Sequence, residues 1–309
     1  MEKISKFGKK FIRDWQLHLI ILIPVIYVAV FNYRPMYGVQ IAFRDYSPIS
    51  GIAGSDWVGW RWFEKFLSSV QFKDVFMNTV ILSLYDMVVS FPLPIIFALI
   101  LNALQSEKYK RVAQTISYMP HFISTVVVVS IINMVFSPVN GIYGNVYRLF
   151  GGSGYPVDFR ATAEAFRHIY VWSGVWKQLG WESIIYIAAL SSVSHELHEA
   201  AQLDGATRLK RMIHVDIPSI MPTICILLIM RCGAIVSVGF DKVYMLQSSV
   251  NLKTSEVIST YVYKVGMSSF KDFSYGAAVG LFNTAINLTL LLTVNFITKK
   301  MTENEVSLF

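Results

Sequence analysis

The chain has 309 residues, 54% of them apolar or aromatic and only 15% charged, with a formal net charge of +7 and a mean hydropathy of +0.49. Soluble domains carry roughly 25% charged residues. The two soluble domains that length alone suggests, at roughly 150 residues each, are therefore excluded, as is a disordered chain, which needs low hydrophobicity. With 2 Cys the chain is no disulfide scaffold. The positive balance fits cytoplasmic Lys and Arg around membrane spans rather than nucleic acid.

A helical span needs roughly 20 mainly apolar residues, and six stretches qualify. Lys3, Lys6, Lys9, Lys10 and Arg13 precede the first, about 17–33. Phe31-Asn32-Tyr33-Arg34-Pro35 follows it without a small-residue cleavage site, so this run reads as a retained span. The second, about 75–104, contains Pro92 and Pro94, which predict a kink. The third, about 115–137, includes Val126-Val127-Val128-Val129. The fourth, about 169–191, is the least apolar, with Trp172, Trp176, Lys177, Gln178, Trp181 and Glu182. The fifth, about 223–240, carries Arg231. The sixth, about 276–298, ends at Lys299-Lys300.

Six spans place both termini on one side. With the N-terminus inside, cytoplasmic segments hold 13 Lys and Arg and the longer outer segments 12. The basic clusters nearest span ends, which weigh most, are the N-terminal group, Lys108-Tyr109-Lys110-Arg111 and Lys299-Lys300. This predicts cytoplasmic segments at 1–16, 105–114, 192–222 and 299–309, around a permeating body of 17–298.

The segment Ser194 to Pro222 reads as two short helices. Ser194 is the expected N-cap, and Leu197, Ala200 and Ala201 lie on the first helix. Asp204-Gly205 breaks it. Leu209, Met212 and Ile213 form an apolar stripe on the second, against Arg208, Lys210 and Arg211, and Pro218 is expected to stop it. Glu199-Ala200-Ala201, three residues, Gly205, nine residues and Val215-Asp216-Ile217-Pro218 resemble the EAA loop of importer-type ABC transporter permeases. Val215 and Ile217 stand in for Ile and Leu of that pattern. The resemblance extends to Met36-Tyr37-Gly38-Val39-Gln40-Ile41-Ala42-Phe43, to Gln114 through Phe122 and to Gly180 through Tyr186, which are similar to permeases of oligosaccharide and complex-polysaccharide importers.

The resemblance implies an all-α polytopic fold of six transmembrane helices, the type I ABC importer permease, with cytoplasmic coupling helices. It also implies a heterodimer with a second related permease, two ATP-binding cassette subunits, an extracellular substrate-binding lipoprotein and a bacterial plasma membrane. On matching positions, Glu199 would be the polar contact to the ATPase cleft. Ala200 and Ala201 would allow close approach, Gly205 would turn the chain, and Pro218 would close the motif. The sequence holds no Gly-x-x-x-x-Gly-Lys-[Ser/Thr], so ATP and Mg are expected on the partner subunits, with no cofactor and no catalytic residue in this chain. A lipid-surface hairpin is the alternative for the loop. Its four acids (Glu196, Glu199, Asp204, Asp216) against three bases fit an anionic surface poorly. His195-Glu196-Leu197-His198-Glu199 lacks the i, i+4 histidines of a helix-borne zinc site, so no metal is expected. Cys225 and Cys232 read as two buried thiols.

Charges inside spans face cavities or partners. Asp86, Lys177, Glu182 and Arg231 are such charges. Arg231 reads as a cavity donor to sugar hydroxyls or a carboxylate, or as a pair with the partner permease. Lys177 reads as cavity-facing or snorkelling, five residues from Glu182 and so on another helix face. Gln178 joins them on the span flanking the coupling loop. Trp176 and Trp181 could stack on sugar rings or join an interfacial belt, while Trp172 is assigned to the belt. Outer segments 34–74 and 241–275 read as docking surfaces. The competing functions are a permease for a peptide or amino acid, an ion-coupled carrier, for which no internal repeat is evident, and a membrane enzyme, for which no acid–base or nucleophilic group is evident.

Overall fold

A computed structural model describes residues 13–233, 238–267 and 272–301. Four of the five N-terminal basic residues, the tail beyond 301 and residues 234–237 of the expected fifth span lie outside the described residues. Helix α1 (Trp15–Val28) continues through a π-helical turn, Ala29–Tyr33, and a 3-10 segment, Tyr37–Phe43. After α2 (Arg61–Leu67) come α3 (Val70–Ser90), α4 (Pro92–Ala103), α5 (Glu107–Tyr118) and α6 (Thr125–Val135). Helix α7 (Ile142–Leu149) leads to the long α8 (Ala163–Ser191). Then follow α9 (His195–Leu203), α10 (Arg208–Arg211) and α11 (Ile217–Cys232). The chain ends with α12 (Phe240–Leu246), α13 (Leu252–Ser255), α14 (Ile258–Met267) and α15 (Phe273–Met301).

Four helical runs are long and apolar enough to cross a membrane: Trp15–Phe43, Val70–Ala103, Arg208–Cys232 and Phe273–Lys300. A fifth is a bent pair. The expected third span is not one straight helix: α5 and α6 meet at 101°. The sequence of the elbow accounts for the bend. Pro120 lies in a 3-10 turn, Met119–Phe122, and Ser124 starts a new helix by accepting a hydrogen bond from the Val127 amide at 3.3 Å. The expected fourth span, about 169–191, lies within α8. At 29 residues this helix is about 44 Å long, beyond the roughly 30 Å hydrocarbon core. Its polar residues make it less apolar than the other spanning helices.

The predicted kink at Pro92 is a break at Phe91 between α3 and α4, with Pro92 opening the new helix. Pro218 does not stop its helix. It sits in the first turn of α11, directly after a π-helical turn, Met212–Asp216. A proline is tolerated in a first turn because its missing N–H would be unpaired there, and the wider π turn relieves its clash with the preceding carbonyl. The loop helix therefore runs on into the span as one rod.

Three clusters hold the helices. Ala42, Trp62, Phe66, Val75 and Ile258 tie α2, α3, α14 and α15 together. Leu82, Phe166, Val171, Val243 and Val257 join α3 and α8 to α12. Ala98, Leu99, Tyr186, Leu190 and Ile220 join α4, α8 and α11. Helix α8 belongs to two of the three, so it is the central post. By contrast, no residue of α1 is buried, and its apolar surface needs lipid or another subunit as cover. In segment 34–74 the aromatics form a folded cap: Phe43 stacks on Trp57 at 5.5 Å, and the Trp62 indole N–H donates to the Arg44 carbonyl at 2.9 Å. In the segment before α8, the Arg160 guanidinium donates to both oxygens of Asp158, at 2.8 and 2.6 Å, and holds its carboxyl below the usual carboxylate range.

Candidate substrate pathway and coupling loop

The charges expected inside spans converge. Arg231 on α11 donates to Glu182 Oε2 on α8 at 2.9 Å and to Asp86 Oδ2 on α3 at 3.2 Å. Ser90 donates to the other Asp86 oxygen at 3.0 Å. The planar guanidinium can serve two carboxylates at once, and one side chain thus joins three helices. Both uses of Arg231 considered from the sequence, cavity donor and partner ion pair, are qualified by this: it lines a cavity, and its charge is answered within the chain.

Two cavities meet at the Glu182–Arg231 pair. The first, of about 210 Å³, lies toward the N-terminal end of α8. It is lined by Asp86, Tyr170, Gly174, Lys177, Gln178, Glu182, Arg231 and Lys242, with Ser90 and Thr125. The second, of about 390 Å³, lies toward the C-terminal end of α8 and is mostly apolar, with Phe91, Trp181, Ile184, Ile185, Tyr186 and Leu227. Glu182 and Arg231 line both, so their ion pair stands between the two chambers.

Lys177 and Glu182 border the same cavity although five residues separate them. The expectation that they face apart assumed a flat helix face, whereas the cavity wraps part of the circumference of α8. Gln178 accepts a hydrogen bond at Oε1 from His121 Nδ1, 2.7 Å away, a pairing that puts the imidazole proton on Nδ1. His121 stacks on Trp181 at 4.1 Å with the rings 3° apart, and Phe122 packs edge-on against both. Trp181 thus has one face covered by the elbow and borders the second chamber with the rest. Trp176 lies elsewhere. It lines an apolar groove of about 570 Å³ between α6 and α8 with Trp172 and Ile132, and it borders neither charged chamber. The Trp172 indole N–H donates to the Tyr85 hydroxyl at 3.2 Å.

Lys242, His121 and Tyr170 were not among the expected pathway residues. Lys242 falls two residues past the expected end of the fifth span, in a stretch whose sequence reads as outer loop. In the Met119-Pro120-His121-Phe122 run, a proline beside aromatic residues is the one sequence signal of an elbow. Gly180 explains how α8 reaches that elbow. A Cβ there would stand 2.3 Å from the Ser117 carbonyl oxygen, so only glycine lets α8 and the end of α5 touch.

The loop with the EAA spacing is a helical hairpin, α9 and α10. Ser194 caps α9 by accepting from the Glu196 amide at 3.2 Å. Gly205 has φ +74°, a left-handed value that favours glycine, and it makes the turn expected of it. Thr207 caps α10. Glu199, Ala200 and Pro218 are exposed and Ala201 is half-buried. His198 Nε2 lies 3.3 Å from Asp216 Oδ1, which pins α9 to the root of α11. Of the second helix's apolar stripe, Met212 packs inward, while Leu209 and Ile213 remain exposed. Cys232 is buried and Cys225 half-buried, and both are free thiols.

Residues 90–303 match the family model described as binding-protein-dependent transport system inner membrane component. Two curated relatives come from Bacillus subtilis. Protein LplB is 39% identical over 93% of this chain and 90% of its own length. The polygalacturonan/rhamnogalacturonan transport system permease protein YteP is 38% identical over 98% and 93%. Among solved structures, a chain of the bacterial alginate ABC transporter, in complex with an alginate pentasaccharide-bound periplasmic protein, is 35% identical. It superposes with a TM-score of 0.88 and covers 97% of this chain and 99% of that one. The all-helical fold, the several apolar helices and the hairpin with its EAA spacing are those of a type I ABC permease, and the chain belongs to the binding-protein-dependent transport system inner membrane components, as a multi-pass membrane protein.

Proposed function

We propose that this chain is one of two permease halves of an ATP-driven importer in a bacterial plasma membrane, and that it carries an acidic oligosaccharide handed over by an extracellular binding protein. The observation that carries this reading is the pair of chambers meeting at Arg231 and Glu182, on α11 and α8, the two helices that flank the hairpin. The relatives supply the substrate class: one is described as a polygalacturonan/rhamnogalacturonan permease, and a transporter with this fold imports "the acidic polysaccharide alginate". On this reading both termini are cytoplasmic, which the basic pair Lys299 and Lys300 in the last turn of α15 supports.

Coupling runs through the hairpin. Leu203 at its tip is 91% exposed and Leu209 65%, an apolar surface that a partner's groove would cover. Glu199 on the same exposed helix offers a carboxylate to a basic groove residue. The rod from α10 through the π turn into α11 carries a movement of the hairpin to Arg231, at the far end of α11. Binding of ATP to the partner subunits would drive that movement and open the cleft outward, and hydrolysis would reset it.

The test is to co-express the chain with its partner permease and ATPases and to measure both assembly and substrate-stimulated ATPase activity. Glu199→Ala and Gly205→Pro are expected to cut stimulation at least tenfold. Proline holds φ near −65°, against the +74° that Gly205 adopts. If both variants assemble and respond like the wild type, the hairpin is not the coupling element.

A further inference from the structure

The chamber toward the N-terminal end of α8 holds more positive charge than its carboxylates answer. Its lining carries three cations, Lys177, Arg231 and Lys242, against two carboxylates, Asp86 and Glu182, and both carboxylates are committed to Arg231 at 3.2 and 2.9 Å. Among the described residues Lys177 has no hydrogen-bond or ion-pair partner. Lys242 donates to the Tyr170 carbonyl at 2.6 Å and lies 4.5 Å from the centre of the Tyr170 ring, which leaves part of its three-donor capacity unused. Gly174 makes room for it: a Cβ at that position would stand 3.2 Å from the Lys242 ammonium. Lys177 lies on α8 three residues after Gly174, on the same side of the helix. The two ammonium groups therefore flank one polar chamber from α8 and α12, while the guanidinium below them is held.

Resting on the reading of this chain as a permease for acidic oligosaccharides, we propose that Lys177 and Lys242 form the subsite for a sugar carboxylate and set the preference for uronate-bearing chains. Arg231 is then a positioning residue of the closure beneath. An ammonium pair is suited to a substrate that must move on, because each is a point charge on a flexible stem and neither imposes the two-point geometry of a guanidinium. A carboxylate that reaches the chamber is attracted by the net positive charge, and leaving needs no directional contacts to be broken at once.

The complete transporter with its binding protein, in proteoliposomes, is offered trigalacturonate or the neutral galactotriose, and ATP-dependent uptake of each is measured. The wild type is expected to favour trigalacturonate. Lys177→Gln and Lys242→Gln should each lower the ratio of acidic to neutral uptake at least fivefold. Lys177→Arg and Lys242→Arg should keep most of it, and the amount of assembled transporter serves as the fold control. If the glutamine variants assemble and retain the wild-type ratio, the subsite assignment is overturned while the transport reading stands. If the wild type takes up neither trisaccharide, the transport reading itself fails, and the subsite with it.

Discussion

Arg231→Met is expected to abolish uptake and to lower the yield of assembled transporter. The substitution keeps an unbranched, apolar side chain but leaves Asp86 and Glu182 without the cation that bonds both of them. Removing one partner from a buried ionic cluster costs several kcal/mol, because the remaining charges lose their compensation. The cost here is about 3 kcal/mol, at the lower end of that range, because the side chains retain 26% to 32% of their exposure. Arg231→Lys is expected to rescue only in part. A single ammonium is a point charge and does not span two carboxylates on different helices as the planar guanidinium does. The decisive measurement is the triple variant Asp86→Asn, Glu182→Gln, Arg231→Met. If the triad positions helices by charge compensation, the triple variant should assemble better than Arg231→Met alone. Equal yields would show that the loss comes from the missing side-chain volume, not from unpaired charge.

Gly180→Leu is expected to be as damaging, by a steric route. A Cβ at 180 would meet the Ser117 carbonyl oxygen at 2.3 Å and its carbonyl carbon at 2.4 Å. Both are backbone atoms and cannot swing aside. Alanine already forces α8 from α5, and leucine forces it further. Overpacking of this kind costs about 1–3 kcal/mol and more where backbone must move. The shift would act on the neighbours in sequence: Trp181 would leave its stack on His121, and Glu182 its bond to Arg231. Gly280→Ala on α15 is the control. Nothing lies within 4 Å of a Cβ there, and alanine is the better helix former by about 1 kcal/mol. Heat inactivation of the purified transporter should order as Gly280→Ala, wild type, Gly180→Ala, Gly180→Leu, from most to least stable. A stable Gly180→Leu transporter with full uptake would remove the close approach from the account.

Several elements of this arrangement are readable from residue type and spacing. The turn at Gly205, the cap at Ser194 and the break near Pro92 follow from local chemistry that operates wherever those residues occur. The in-span charges were identifiable because each is costly in hydrocarbon, and four of the expected pathway residues, Lys177, Gln178, Glu182 and Arg231, do line one chamber. Trp176 shows the limit of such reasoning. Its spacing from Trp172 places both on one face of α8, but spacing does not say which neighbour that face meets, and it meets the apolar groove of α6. Pro218 shows a second limit: a proline stops a helix or opens one according to the turn that precedes it, and a π turn precedes this one.

Composition and pattern alone determined that the chain is a helical membrane protein, where its apolar segments lie, and that the hairpin after α8 carries the EAA spacing. These are properties of short stretches, and they follow from solvent preference and backbone chemistry. Only the tertiary structure decided which charges answer one another. Asp86 and Arg231 are 145 positions apart, and nothing in either neighbourhood names the other. Their pairing depends on how α3, α8 and α11 cross. The same crossing sets Glu182 and Arg231 between two chambers, leaves Lys177 and Lys242 with no carboxylate at ion-pair distance among the described residues, and turns three costly charges into a junction between helices.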